Sequence, residues 1–177
     1  MPVRYLEDFA IGQTYGSGAL RVSKEQIRRF AAEFDPQPFH VDEAAVRDTF
    51  FTGLAASGWH TAALTMRLLV DSEWKPAGGL IGAGVEELRW PKPVRPGDEL
   101  RLQSEVIDAR VSKSRPGHGV VKVRITTVNQ NDEPVQTFIA NLIVPRRPAS
   151  HQRVGHAYLR HVKEQGCSQV PVGAVSP

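Results

Sequence analysis

Between Lys24 and Phe34 the apolar residues Ile27, Phe30, Ala31 and Phe34 recur at i, i+3, i+4 and i+7, the spacing of one helical face. Ser23 precedes them with Gln26 three residues on, a capping box that predicts where this helix starts. Asp35-Pro36 ends it, because a residue before proline disfavours the helical conformation. Residues 35–40 then predict a stiff loop with two prolines, and Asp42 is placed to cap a second short helix from Glu43 to about Asp48. A run of small residues, Thr52 to Gly58, leads into Trp59–Val70, which is apolar almost all round and predicts a buried helix. Nothing before that helix is long enough to cover it, so the cover must come from the C-terminal side. That side is strand-like: residues 79–90, a proline-rich turn over Pro91–Asp98, then alternating runs Glu99–Ala109, Val120–Val128 and Val135–Val144. One buried helix before a set of long antiparallel strands predicts an α+β fold, a curved sheet wrapped around a central helix.

Composition changes this picture little. The chain has 177 residues, 41% of them hydrophobic and 23% charged, which suits one globular domain. Charge distribution is more telling than the net value of +3. Arg146, Arg147, Arg153, Arg160 and Lys163 face a single acid, Glu164, after position 145, whereas the preceding residues are nearly neutral. The expected organisation is a domain over residues 1–147 and a basic C-terminal tail over 148–177, with a short helix over His156–Gln165. A neutral body argues against a dedicated nucleic-acid domain, although the tail could touch phosphates. No stretch of 18 apolar residues occurs, the first seven residues lack a signal-peptide layout, and Cys167 is the single cysteine. The expectation is a cytoplasmic chain with no membrane partner.

Three motif matches carry little. Ser72-Glu73-Trp74-Lys75 lacks the companion motifs of penicillin-recognising enzymes, and Gly82-Ala83-Gly84 lacks a third glycine and sits in a strand pattern. His151, His156 and His161 are spaced by five, which does not align them on one helical face, and no metal site is expected. The segment Asp35–His40 is different. It holds a carboxylate and an imidazole five residues apart between prolines, a pair able to orient a water and move a proton. Alternatively, Asp35 only satisfies the helix end and His40 packs on Phe39 or Phe34. Gly58 opens the buried helix with Ser57 as N-cap, where unpaired N–H groups could stabilise an oxyanion; otherwise the glycine only permits tight packing on the sheet.

Asp35-x-Gln37-Pro38-x-His40 resembles the D-x-N-P-x-H motif of MaoC-like dehydratases, the hot-dog-fold (R)-specific enoyl-CoA hydratase group. The longer strings Phe34–Asp42 and Ala56-Ser57-Gly58-Trp59-His60-Thr61, with the Pro96-Gly97-Asp98 turn, carry the resemblance over about residues 5–146. It implies that Asp35 and His40 hold and activate water, that the N–H of Gly58 binds a thioester carbonyl, and that Gln37, Ser57, Trp59 and His60 contact substrate. It implies reversible syn addition of water to a trans-2-enoyl-CoA, with no cofactor beyond the coenzyme A of the substrate. It further implies at least a homodimer of hot-dog domains joined edge to edge. Two departures stand out: Gln37 replaces the motif's asparagine, and Met66 stands where some hydratases carry a serine. The competing readings are a hot-dog thioesterase and a non-catalytic acyl-CoA-binding protein. The absence of Asp and Glu from Trp59–Val70 counts against the thioesterase.

Overall fold

In the computed structural model, residues 3–44, 46 and 50–148 are described. The short strands β1 (Thr14–Gly16) and β2 (Leu20–Arg21) precede helix α1 (Lys24–Phe34), helix α2 (Pro38–Val41) and helix α3 (Gly58–Asp71). Four further strands come after α3: β3 (Ile81–Arg89), β4 (Glu99–Val111), β5 (His118–Val128) and β6 (Pro134–Pro145). All pairings are antiparallel, in the order β1-β4-β5-β6-β3, with β2 also on β4.

The alternation in the sequence sets the two faces of the sheet. Leu100, Leu102 and Val106 of β4, Val121, Val123 and Ile125 of β5, and Phe138, Ala140 and Leu142 of β6 turn inward. Together with Leu64, Leu68 and Leu69 of α3 they form one core cluster. A polar pin crosses that core: Thr65 bonds the Thr127 hydroxyl at 2.7 Å and the Thr61 carbonyl at 2.9 Å. The result is the α+β hot-dog arrangement, a curved sheet around a central helix.

Three expectations need correction. The segment 35–40 is not loop throughout, because Pro38 supplies the first-turn proline of a helical turn that Gln37 introduces in extended conformation. The pattern predicts the second short helix one turn later than this; there Glu43, Ala44 and Val46 are bend or turn, and the rest of that stretch lies outside the described residues. Helix α3 is not buried all round either. Trp59, Ala63, Met66 and Val70, one stripe at helical spacing, are exposed, and so is most of β3, including Val85 at 59%.

The compact unit ends at Arg147. Arg147 clamps Asp8 through two bonds of 2.6 and 2.7 Å, and its N–H reaches Glu7 at 2.8 Å. That backbone bond is the chief reason Glu7 titrates below the usual carboxylate range. Residues 149–177 lie outside the described residues, and with them the tail and its expected helix. Near this closure, a Cβ on Gly119 would lie 2.3–2.4 Å from Leu6 side-chain carbons and 2.7 Å from the Arg110 carbonyl. Gly119→Ala should therefore cost about 1–3 kcal/mol of stability through overpacking. A lowered urea midpoint checks this.

Candidate active site

Helix α1 delivers Asp35 as its C-cap residue, held by the bond of its N–H to the Ala31 carbonyl. The chain then turns back at once: the Gln37 N–H reaches the Asp35 carbonyl at 2.8 Å, and the His40 N–H reaches the Gln37 carbonyl at 2.9 Å. This tight path sets the Asp35 carboxylate beside the His40 ring, with His40 Nε2 3.4 Å from Asp35 Oδ2. His40 is buried, and its Nδ1 lies 2.7 Å from the Ala55 carbonyl oxygen. A carbonyl only accepts, so Nδ1 carries a proton, and Nε2 is the ring nitrogen turned toward Asp35.

Asp35 is tuned by its neighbours. The Ser57 hydroxyl, above all, and then the Gln37 amide and the nearby His40 hold its carboxyl below the usual carboxylate range, against the opposing effect of partial burial. Gln37 Nε2 donates to Asp35 Oδ1 at 2.6 Å. The site therefore holds a carboxylate that favours its ionised form beside an imidazole nitrogen, both turned to one point.

Opposite them, α3 begins. Ser57 caps it by accepting the Trp59 N–H at 3.2 Å, which leaves the Gly58 N–H, one of the first-turn donors, without an intrahelical partner. The positive end of α3 points the same way. Asp35, Gln37, His40, Ser57, Gly58 and Trp59 all line one cavity of about 510 Å³. An acid–base pair and an oxyanion donor thus share a single space. Among the sequence-predicted residues, His60 alone is not brought there. It is buried against α1, its ring stacked on Phe30 at 4.7 Å and 9°, and its Nδ1 has no partner. Burial, reinforced by the charge of Arg29, pushes its pKa down.

The MaoC like domain family matches residues 8–129. The chain belongs to this family. Its structure is similar to the MaoC-like dehydratase from Rhodospirillum rubrum, with a TM-score of 0.79 and 53% identity over 82% of this chain and 99% of that one. It is also similar to an (R)-hydratase from A. caviae, with a TM-score of 0.62 and 25% identity over 78% of this chain and 99% of that one. Protein YdeM of Bacillus subtilis is 36% identical over 139 residues, 78% of this chain and 96% of its own length.

In this MaoC-like domain the cavity has walls that the motifs do not announce. Phe39, Phe50 and Phe51 form one side, and Trp90 with the segment Pro91–Val94 forms the other. Arg95 ties the first side down by donating to the carbonyls of Phe51 and Leu54. The proline-rich turn after β3 is visible in the sequence, but nothing there tells that it folds back over Gly58.

Because Ser57 is the chief donor to Asp35, Ser57→Ala should let the Asp35 pKa rise toward its ordinary value. A lowered pKa keeps the carboxylate charged further into acid, so losing the donor brings protonation at higher pH. If ionised Asp35 is needed for turnover, the acid limb of the kcat/KM profile should move upward in pH. The lost N-cap should also cost about 1 kcal/mol of stability in a urea titration.

Proposed function

We propose that this domain is a hydro-lyase, an (R)-specific enoyl-CoA hydratase that adds water reversibly and syn to a trans-2-enoyl thioester. The observation that carries the reading is the convergence of Asp35 Oδ2 and His40 Nε2, 3.4 Å apart, on the cavity that Gly58 opens into. The hydratase chemistry of the structurally similar (R)-hydratase agrees with it.

A water held by both acceptors donates one hydrogen to Asp35 and one to His40, and its free lone pair faces the substrate. A carboxylate kept ionised is a weak base, so the proton passes to His40 Nε2 as the oxygen bonds to C3. The negative charge of Asp35 stabilises the imidazolium. The C2–C3 π electrons move toward the thioester, and the enolate oxygen meets the Gly58 N–H and the α3 dipole. Donors of this kind are worth about 2.7–4 kcal/mol. His40 returns its proton to C2 on the same face, which makes the addition syn and regenerates the pair. No redox or metal cofactor takes part in this scheme, and coenzyme A enters as the carrier of the acyl group.

The working unit is at least a homodimer. Trp59, Met66 and Val70 on α3 and Ile81 and Val85 on β3 are exposed, and Met66 and Val85 line one apolar hollow beside the edge strand β3, a surface that a second copy can cover. Sedimentation at micromolar concentration checks this, and a monomer overturns it. For the chemistry, the protein is incubated with crotonyl-CoA while enoyl absorbance and free thiol are followed together. Loss of absorbance without thiol supports hydration; thiol release means a thioesterase; binding with neither change means a carrier or scaffold.

A further inference from the structure

Leu54, Ala55 and Ala56 run buried past His40, and the two alanines have only a methyl group to pack with. Main-chain hydrogen bonds must therefore place them. In the peptide joining Leu54 to Ala55, the carbonyl accepts from the Arg95 guanidinium at 3.3 Å and the N–H donates to the Phe39 carbonyl at 3.1 Å. In the next peptide, the Ala55 carbonyl accepts from His40 Nδ1 at 2.7 Å and the Ala56 N–H donates to the Val94 carbonyl at 2.8 Å. A peptide is planar, so pinning both polar groups of one plane fixes where the next begins. Of these four partners, two are main-chain carbonyls and one is His40 itself. The fourth, Arg95, is the side chain that a substitution can remove.

Arg95 is itself fixed by the turn it opens. Pro96 and Gly97, the latter at φ +92°, make a tight turn closed by the Asp98 N–H on the Arg95 carbonyl at 3.1 Å. The buried Asp98 carboxylate accepts the Arg95 N–H at 2.7 Å and Gln130 Nε2 at 3.1 Å. From this base the guanidinium fork spans two carbonyls, those of Phe51 and Leu54. A lysine ammonium is a point charge on a flexible stem and lacks the planar fork that holds both. Arg95 stands outside the lining of the cavity, which on this side ends at Val94. It reaches the chemistry only through other residues. We infer that Arg95 is a positioning residue: its grip on the Leu54 carbonyl holds the Ala55 carbonyl against His40, fixing a proton on Nδ1 and the direction of Nε2. Its part in turnover rests on the proposed hydration reaction. Loss of the grip should lower kcat, whereas KM, set by groups that touch substrate, should change little.

The test compares Arg95→Lys and Arg95→Ala with wild type, all as full-length protein. Both variants should lower kcat for crotonyl-CoA by about 10- to 100-fold and leave KM within a few-fold, since a misplacement of about 1 Å at a reacting centre costs on the order of 10²-fold. Millimolar guanidinium, which can occupy the space of the lost fork, should restore part of the rate to Arg95→Ala. Nitrogen-15 spectra of histidine-labelled protein give a second readout, taken at about pH 9, above the usual histidine range. His40→Asn identifies the His40 signals. Wild type should show His40 protonated at Nδ1, and both variants should show a share protonated at Nε2 instead. A circular-dichroism melt establishes that each variant is folded. Should Arg95→Ala lose its fold, Arg95→Lys must still show both changes. Folded variants with wild-type kcat mean that Arg95 serves stability alone, and they overturn the inference. A lower kcat with an unchanged His40 spectrum overturns it as well, because the loss then arises elsewhere. A wild type that does not hydrate crotonyl-CoA overturns the hydration reading and the part of Arg95 in turnover, while the spectra still decide whether Arg95 sets the imidazole.

Discussion

Asp35→Asn should lower hydration of crotonyl-CoA by at least about a hundredfold, and so should His40→Ala, since positioned acid–base groups supply about 10²–10⁴-fold. The reasons differ. An asparagine keeps the shape of Asp35 but loses the charge that balances imidazolium, and it can present an N–H where the water needs an acceptor. Removing the His40 ring takes away the proton acceptor and also orphans the Ala55 carbonyl, now bonded at 2.7 Å. That second effect costs about 1–3 kcal/mol of stability. His40→Asn, whose amide can still donate to Ala55, separates the two: it should recover stability without recovering rate. The pair acts on one water, so the double variant Asp35→Asn/His40→Ala should be scarcely slower than either single one. Steady-state rates beside urea midpoints check all of this. Near wild-type rates in both single variants would mean that Asp35 only satisfies the end of α1 and that His40 only packs.

The local rules that position this pair are legible in the sequence alone. The capping box of Ser23 and Gln26 is present, with both reciprocal bonds, and the N-cap of α3 is Ser57, as its place before Gly58 suggests. Alternation locates β4, β5 and β6 to within one or two residues, because each buries one face and shows the other. Where the pattern misleads, the missing information is not local. Phe34 belongs to the apolar stripe of α1, yet it is 65% exposed at the end of the helix, with the ring of Phe30 5.0 Å away. Trp59–Val70 reads as buried because composition reports apolarity and cannot say whether the cover comes from the same chain. Trp59, Met66 and Val70 stay exposed, so the described residues do not cover the whole run.

The same distinction runs through the site. Asp35 and His40 lie five residues apart on a chain stiffened by prolines, so their meeting is a short-range event. The Ser57 bond that tunes Asp35, the Ala55 carbonyl that fixes the His40 tautomer and the Trp90 ring on Gly58 all come from separations of 15 residues or more. No spacing rule reaches that far. His60 shows the converse error: it stands two residues past Gly58 on α3, but each residue turns the helix by about 100°, and its ring faces Phe30 instead of the cavity.

Gly58→Ala should reduce kcat/KM for crotonyl-CoA by roughly 10- to 100-fold although the variant keeps the N–H that binds the carbonyl. The cause is the ring beside it. An added Cβ would stand 2.8 Å from Trp90 Cε2 and 2.9 Å from Cδ2, distances that rigid aromatic carbon cannot absorb. Trp90 is tethered to Gln136 and flanked by Trp59, so much of the strain must move the first turn of α3. A misplacement of about 1 Å at a reacting centre costs on the order of 10²-fold. Better helix propensity offsets part of the overpacking, so the stability change should stay within about 1–3 kcal/mol. A double-mutant cycle isolates the clash: in a Trp90→Ala background the methyl group no longer meets the indole, and Gly58→Ala should then cost no more than a few-fold. If the loss is the same in both backgrounds, crowding by Trp90 is not what requires glycine at position 58.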